Sequence, residues 1–247
     1  MIWISRSSIG ASAYKDIIID AGHQALVAPL LQIENLDFIL PEDLGSYKAI
    51  IMTSVNAVRA LDNEKRAILT QLDIPVYAVG EQTAQLCRDS GFDHVIIGQG
   101  GVTELCNKIQ NEMGAGRLLY LAGVDITQNI QIDGVEVSYI RVYKAHLVDE
   151  LPVQAIEAIL DGTISIILFF SARTAAHFKT LVKDFSYNDV RAEEITERLK
   201  HIKALCLSDK VVNSLEGMHF QCVQSASKPD RQGMVDLIHM TLGNTRV

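Results

Sequence analysis

The sequence predicts an α/β fold with mainly parallel sheets, divided into two similar lobes. Three observations carry this: short continuous apolar runs, amphipathic stretches alternating with them, and a pattern that recurs between the two halves of the 247-residue chain. Continuous apolar runs suit strands covered on both faces, and helices between strands make the connections that parallel pairing needs.

Residues 2–5 read as a first strand and 25–28 as a second. Between them Tyr14, Ile17, Ile18 and Ala21 recur at the spacing of one helical face, and Gly22 stands where a helix-closing glycine belongs. Further strands are expected at 49–53, 76–79, 95–97, 118–121, 135–143, 164–170, 204–207 and 221–224. Leu105, Ile109 and Met113 repeat the helical spacing before Gly114. The extended stretches 30–36 and 142–151 contain little Gly or Ser, so they read as ordered connections and not as flexible tethers.

Ten strands are many for one open sheet, and the sequence contains a duplication. Residues 50–61 align with 167–178, each a buried strand, a serine (Ser54 or Ser171) and a helix. The opening strand–helix–strand through Pro29 has its counterpart in residues 118–143, with Gly22 and Gly134 each preceding the second strand. Residues 76–86 correspond more loosely to 204–215.

Composition narrows the function. The chain is 48% hydrophobic and 21% charged, with 22 Lys and Arg against 30 Asp and Glu, a net charge of −8. An acidic chain without a basic run is a poor partner for nucleic acid or a membrane surface, and no apolar run approaches the roughly 20 residues of a membrane span. The start of the sequence lacks a basic lead and a long apolar stretch, so it does not read as a signal peptide. Cys87, Cys106, Cys206 and Cys222 form no C-x-x-C pair. They read as buried free thiols in a reducing, cytoplasmic setting, with no metal site.

Conventional catalytic motifs are missing: no P-loop, no H-E-x-x-H and no G-x-S-x-G. His177 reads as a helical surface histidine. Gly98-Gln99-Gly100-Gly101 has some likeness to a dinucleotide loop but lacks its full spacing. Small polar residues recur instead where strands end and helices begin: Ser54, Thr83, Thr103 and Ser171. Each alone is the residue type that caps a helix N-terminus. Together they form rims of hydroxyls and backbone N–H groups at the carboxyl edges of two sheets, where open α/β folds bind ligands and helix N-termini favour anions. Two such rims facing each other would clasp a polyanion without lysines. Exported solute-binding proteins share this description, and a nucleotide- or flavin-dependent enzyme is a second alternative.

Several strings, in order along the chain, carry a more specific likeness. They are Ser5-Arg6 after the first strand, Pro29 after the second, Thr53-Ser54-Val55-Asn56-Ala57-Val58, Val79-Gly80-Glu81-Gln82-Thr83-Ala84, Val142-Tyr143 and Phe169-Phe170-Ser171. In these the chain resembles the uroporphyrinogen-III synthases. The resemblance implies two flavodoxin-like lobes with parallel sheets, joined by a two-stranded β linker. On this chain the first lobe is 1–32 plus 148–247, the second 36–143, and the linkers 33–35 and 144–147.

The activity it implies is cofactor-free and metal-free. Linear hydroxymethylbilane loses water from ring A, and the resulting azafulvene is attacked by the substituted carbon of ring D. The spirocyclic intermediate fragments and recloses with ring D inverted. Tyr143 is then the candidate hydrogen-bond or proton donor to the departing hydroxyl. Arg6, Ser54, Thr83, Thr103 and Ser171 are candidates for the substrate's carboxylates. Leu207-Ser208-Asp209-Lys210-Val211 departs from the family, whose members often have glycine and hydroxyl residues near here, leaving Ser208 and Lys210 as candidates through hydrogen bonding and charge. The expected partners are the linear tetrapyrrole and, transiently, the hydroxymethylbilane synthase that makes it, with neither nucleic acid nor membrane. A cytoplasmic monomer is the expected form.

Overall fold

The computed structural model describes residues 1–98, 101–126, 129–187 and 190–243. The chain divides into two compact units, one of residues Met1–Gln32 with His146–Val247 and one of Ile33–Ala145. It opens with β1 (Ile2–Ile4), α1 (Ser8–Asp20) and β2 (Ala25–Val27), then leaves the first unit along β3 (Leu31–Asn35). The second unit follows as β4 (Tyr47–Met52), α2 (Val55–Arg59), α3 (Asn63–Thr70), β5 (Val76–Val79), α4 (Glu81–Asp89), β6 (Val95–Gly98), α5 (Val102–Met113), β7 (Gly116–Gly123) and β8 (Val135–Leu147). The return adds α6 (Val153–Leu160), β9 (Ile166–Phe169), α7 (Ala172–Lys183), the short pair β10 (Ser186–Tyr187) and β11 (Val190–Arg191), α8 (Ala192–Leu199), β12 (Lys203–Cys206), α9 (Asp209–Ser214), β13 (Cys222–Ser225) and α10 (Arg231–Leu242).

The expected helix at 14–21 is α1. The N–H of Gly22 bonds the carbonyl of Ile19 and that of His23 bonds the carbonyl of Ile18, so the last carbonyls of the helix are satisfied as the chain turns into β2.

The first unit's sheet runs β13-β12-β9-β1-β2, all parallel. Side chains alternate across it. Trp3 enters one core with Phe169 and Phe178, while Ile2 and Ile4 enter the other with Ile18 and Leu168. Trp3 is fully buried, and its indole N–H donates to the Ala28 carbonyl at 2.7 Å, which removes the cost of an unpaired donor.

The second unit's sheet runs β3-β8-β7-β4-β5-β6, with β8 through β6 parallel. Ile50 and Met52 face one core, Ala49 and Ile51 the other. Beside β8, the Leu36 N–H bonds the Val142 carbonyl and the Val148 N–H bonds the Leu30 carbonyl, pairs that run in opposite directions along the chain.

Position for position, β2, β1, β9, β12 and β13 of the first sheet match β8, β7, β4, β5 and β6 of the second. The spatial order is the same and the chain enters it at a different strand. This is the correspondence read from the sequence, with one correction. A helix, α1, joins β1 to β2, but the 124–134 connection between β7 and β8 contains no helix among its described residues. Its apolar residues Val124, Ile126, Ile130 and Ile132 fall in two pairs spaced by two, the alternation of extended chain and not a helical stripe. Ile130 and Ile132 pack instead against the core beneath, and the Tyr139 hydroxyl holds Ile130 by its N–H at 2.9 Å and its carbonyl at 3.2 Å.

Candidate active site

In the second unit the chain leaves β4 in one direction, toward β5, and β7 in the other, toward β8. Neighbouring strands whose connections diverge open a crevice at their carboxyl ends. A cleft of about 320 Å³ occupies that place. Thr53 and Ser54 follow β4, Tyr120 and Gly123 come from β7, Asp125 and Ile126 follow it, and Tyr143 comes from β8; Val79, Gly101 and Val102 complete the wall.

Tyr143 reaches the cleft through a bulge. The β7–β8 register pairs Ala122 with Arg141 and then Gly123 with Tyr143, passing over Val142. Val142 is fully buried and its carbonyl accepts from Leu36, while the Tyr143 carbonyl accepts from Val124 at 2.9 Å. The extra residue re-aims the strand and lays the tyrosine ring on Gly123, where a Cβ would fall 2.7 Å from Cζ and 2.9 Å from the hydroxyl. Arg141 donates to the Gly123 carbonyl at 2.8 Å and covers the Tyr139 ring at 5.2 Å.

Beside it the hydroxyls of Tyr120 and Thr53 are hydrogen-bonded at 2.7 Å. Burial raises the Tyr120 phenol above its ordinary range, so it is protonated at neutral pH. Ser54 caps α2 in extended conformation, its Oγ accepting from the Asn56 N–H at 3.2 Å. The hydroxyl's own proton is not used in that bond.

The other predicted residues of this unit lie apart from the cleft wall. Thr83 is buried inside α4, whose cap is Gly80, and Thr103 is exposed in α5, whose cap is Gly101. Helix α5 thus presents Gly101 and Val102 to the cleft in place of Thr103. Of the glycine-rich string, Gln99 and Gly100 lie outside the described residues.

Arg6, Ser171, Ser208 and Lys210 belong to the first unit. Arg6 follows β1 and Ser171 lies just beyond β9, the two strands at the corresponding divergence of that sheet. The Arg6 guanidinium sits 5.5 Å from the Phe170 ring centre, and its positive charge acts on the Tyr14 phenol against the effect of burial. Ser171 caps α7, accepting from the Thr174 N–H at 3.1 Å, and its hydroxyl meets that of Thr174 at 2.8 Å. Ser208 has the extended backbone of a cap but makes no side-chain cap bond, and Lys210 is exposed on α9. His177 is not simply a surface histidine: it is half-buried, with Nε2 2.6 Å from the Val148 carbonyl. Among the described residues no group of His, Cys, Asp or Glu could hold a metal ion. All four cysteines are free; Cys87 and Cys206 are buried, whereas Cys106 and Cys222 are half-buried. Among the described residues no helix is long and apolar enough to cross a membrane.

Sequence reading did not single out Thr53, Tyr120, Gly123 or Asp125 as site residues. The signal was present in Tyr120-Leu121-Ala122-Gly123-Val124-Asp125, where an apolar strand ends on glycine and a carboxylate.

A family model described as uroporphyrinogen-III synthase HemD matches residues 12–236. The chain belongs to the uroporphyrinogen-III synthase family. Membership makes it a hydro-lyase of tetrapyrrole biosynthesis. Crystal structures of two members of this family share its fold. The Helicobacter pylori uroporphyrinogen-III synthetase is 20% identical with a TM-score of 0.61, over 97% of this chain and 98% of that one. A Thermus thermophilus uroporphyrinogen III synthase mutant is 17% identical with a TM-score of 0.53, over 99% of each. No curated protein matches the chain significantly in sequence.

Proposed function

We propose that the chain closes hydroxymethylbilane to uroporphyrinogen III, with the second unit's cleft as the place where the hydroxyl departs. The observation that carries this is a phenol, Tyr143, seated by a bulge in a hydroxyl-lined cleft of a chain whose family match spans residues 12–236. Tyr143 donates a hydrogen bond or proton to the departing hydroxyl, and water leaves. Ring D's substituted carbon attacks the exocyclic carbon, and the spirocycle fragments and recloses with ring D inverted.

The linear substrate also closes spontaneously, without inversion, so the protein's task is to impose one folded geometry. Positioning of this kind accounts for several kcal/mol of barrier lowering. In this reading Ser54 of the second unit, and Arg6, Ser171, Ser208 and Lys210 of the first, bind acetate and propionate groups, whereas Thr83 is buried inside its helix and Thr103 stands off the cleft wall. Hydrogen bonds to charged groups contribute roughly 1.5–3 kcal/mol each, so a few suffice. The lobes are 1–32 with 148–247 and 36–143, with 33–35 and 144–147 linking them. The reaction runs in the cytoplasm on substrate received from hydroxymethylbilane synthase.

The test is incubation with freshly generated hydroxymethylbilane, oxidation, and chromatographic separation of the uroporphyrin isomers. Type III in excess of the protein-free control is expected, and type I alone from folded protein would refute the assignment.

A further inference from the structure

Among the described residues that line the cleft, Asp125 is the acidic one, and the others with polar side chains, Thr53, Ser54, Tyr120 and Tyr143, carry neutral hydroxyls. Its position is fixed from the sheet. The N–H of the preceding residue, Val124, bonds the Tyr143 carbonyl at 2.9 Å, and Gly123 lies under the Tyr143 ring. One three-residue stretch therefore supplies the seat of the phenol and a carboxylate on the same cleft wall.

A carboxylate is the wrong group to receive a substrate bearing acetates and propionates, because like charges repel. It is the right group to face a cation. When the hydroxymethyl carbon loses its oxygen, the C–O bond breaks with both electrons going to oxygen. The oxygen takes a proton from the cleft donor and leaves as water. The pyrrole nitrogen supplies the electron pair of the new exocyclic double bond and becomes positively charged. Resting on the proposed activity, we infer that Asp125 is a catalytic residue that stabilises this azafulvenium cation electrostatically, forming no bond and transferring no proton. Its negative charge favours the charged transition state over the neutral ring from which it forms, which is the condition for lowering a barrier and not merely tightening binding. Exclusion of water by the bound tetrapyrrole strengthens the attraction.

The side chain is exposed, so its replacement leaves both cores of the unit intact. The experiment compares wild type, Asp125→Asn and Asp125→Glu in turnover. It also compares them in affinity for two unreactive analogues of the linear substrate, one ending in a protonated aminomethyl group and the other in a methyl group. For Asp125→Asn the expected result is a kcat about tenfold lower with KM unchanged or reduced. Affinity for the aminomethyl analogue falls about tenfold and affinity for the methyl analogue holds. Asp125→Glu, which keeps the charge, recovers most of both losses. Wild-type kcat in Asp125→Asn, or equal changes for the two analogues, would overturn the inference. Wild-type protein forming only type I product would instead refute the activity, while the analogue pair would still report whether Asp125 discriminates charge.

Discussion

The ring of Tyr143 rests directly on the α-carbon of Gly123, close enough that a Cβ there would sit 2.7 Å from the ring. The phenol's direction is therefore set by the absence of a side chain on the neighbouring strand as much as by its own strand. Gly123→Ala should push the ring out of place at an overpacking cost of about 1–3 kcal/mol, and kcat should fall with the fold retained. If Gly123 acts through Tyr143, adding Gly123→Ala to Tyr143→Phe should cost little further activity. Turnover of the alanine variant equal to wild type would show that the seat is not needed.

Ser54 and Ser171 each close a helix N-terminus through Oγ. Each serine-to-alanine change should lower stability by about 1 kcal/mol, seen as a lower urea midpoint. Ser54→Ala should also raise KM with little change in the isomer formed, because its hydroxyl stands in the cleft wall. An unchanged KM beside the stability loss would leave Ser54 as a cap alone.

Alkaline pH should weaken the fold. Burial, then a hydrogen bond to Glu112 at 3.1 Å, pushes the Tyr77 phenol from 10 up to about 12, and burial pushes the Cys87 and Cys206 thiols from 9 up to about 12. In each case the folded state holds its proton more tightly than the unfolded chain. The associated stability is full below about pH 9 and falls as pH rises toward 12. Urea midpoints measured from pH 8 to 11.5 should decline, and Tyr77→Phe should shallow the decline. A flat profile would mean that these groups ionise in the fold as they do unfolded.

The parts of the fold that sequence anticipates are those governed by local pattern. Ile166–Phe169 is apolar throughout because both its faces are covered, and Tyr14, Ile17 and Ile18 mark the inner side of α1 by spacing alone. The duplication is visible because equivalent strands carry equivalent burial. What depends on partners distant in sequence is not visible. The bulge passing over Val142 is a matter of register with β7, and nothing local distinguishes Val142 from its neighbours. The 124–134 connection has the length and closing glycine of another helical crossover but lacks its stripe. Capping fails for a different reason. Thr83 and Thr103 lie inside their helices because the preceding Gly80 and Gly101, both at positive φ, take the cap positions. Ser208 takes the cap position without forming the bond. The string ending on Gly123-Val124-Asp125 marks a strand end, but only the folded cleft shows that Asp125 shares a wall with Tyr143.

Assistance by the Tyr143 phenol to departure of the hydroxyl is read from the rate of type III uroporphyrinogen formation by Tyr143→Phe beside wild type. Removing one oxygen from a half-buried ring leaves its packing intact. A roughly hundredfold fall in kcat is expected, at the low end for loss of an acid–base group, with the unfolding midpoint little changed. Turnover close to wild type would contradict the account and leave Tyr143 as a packing residue.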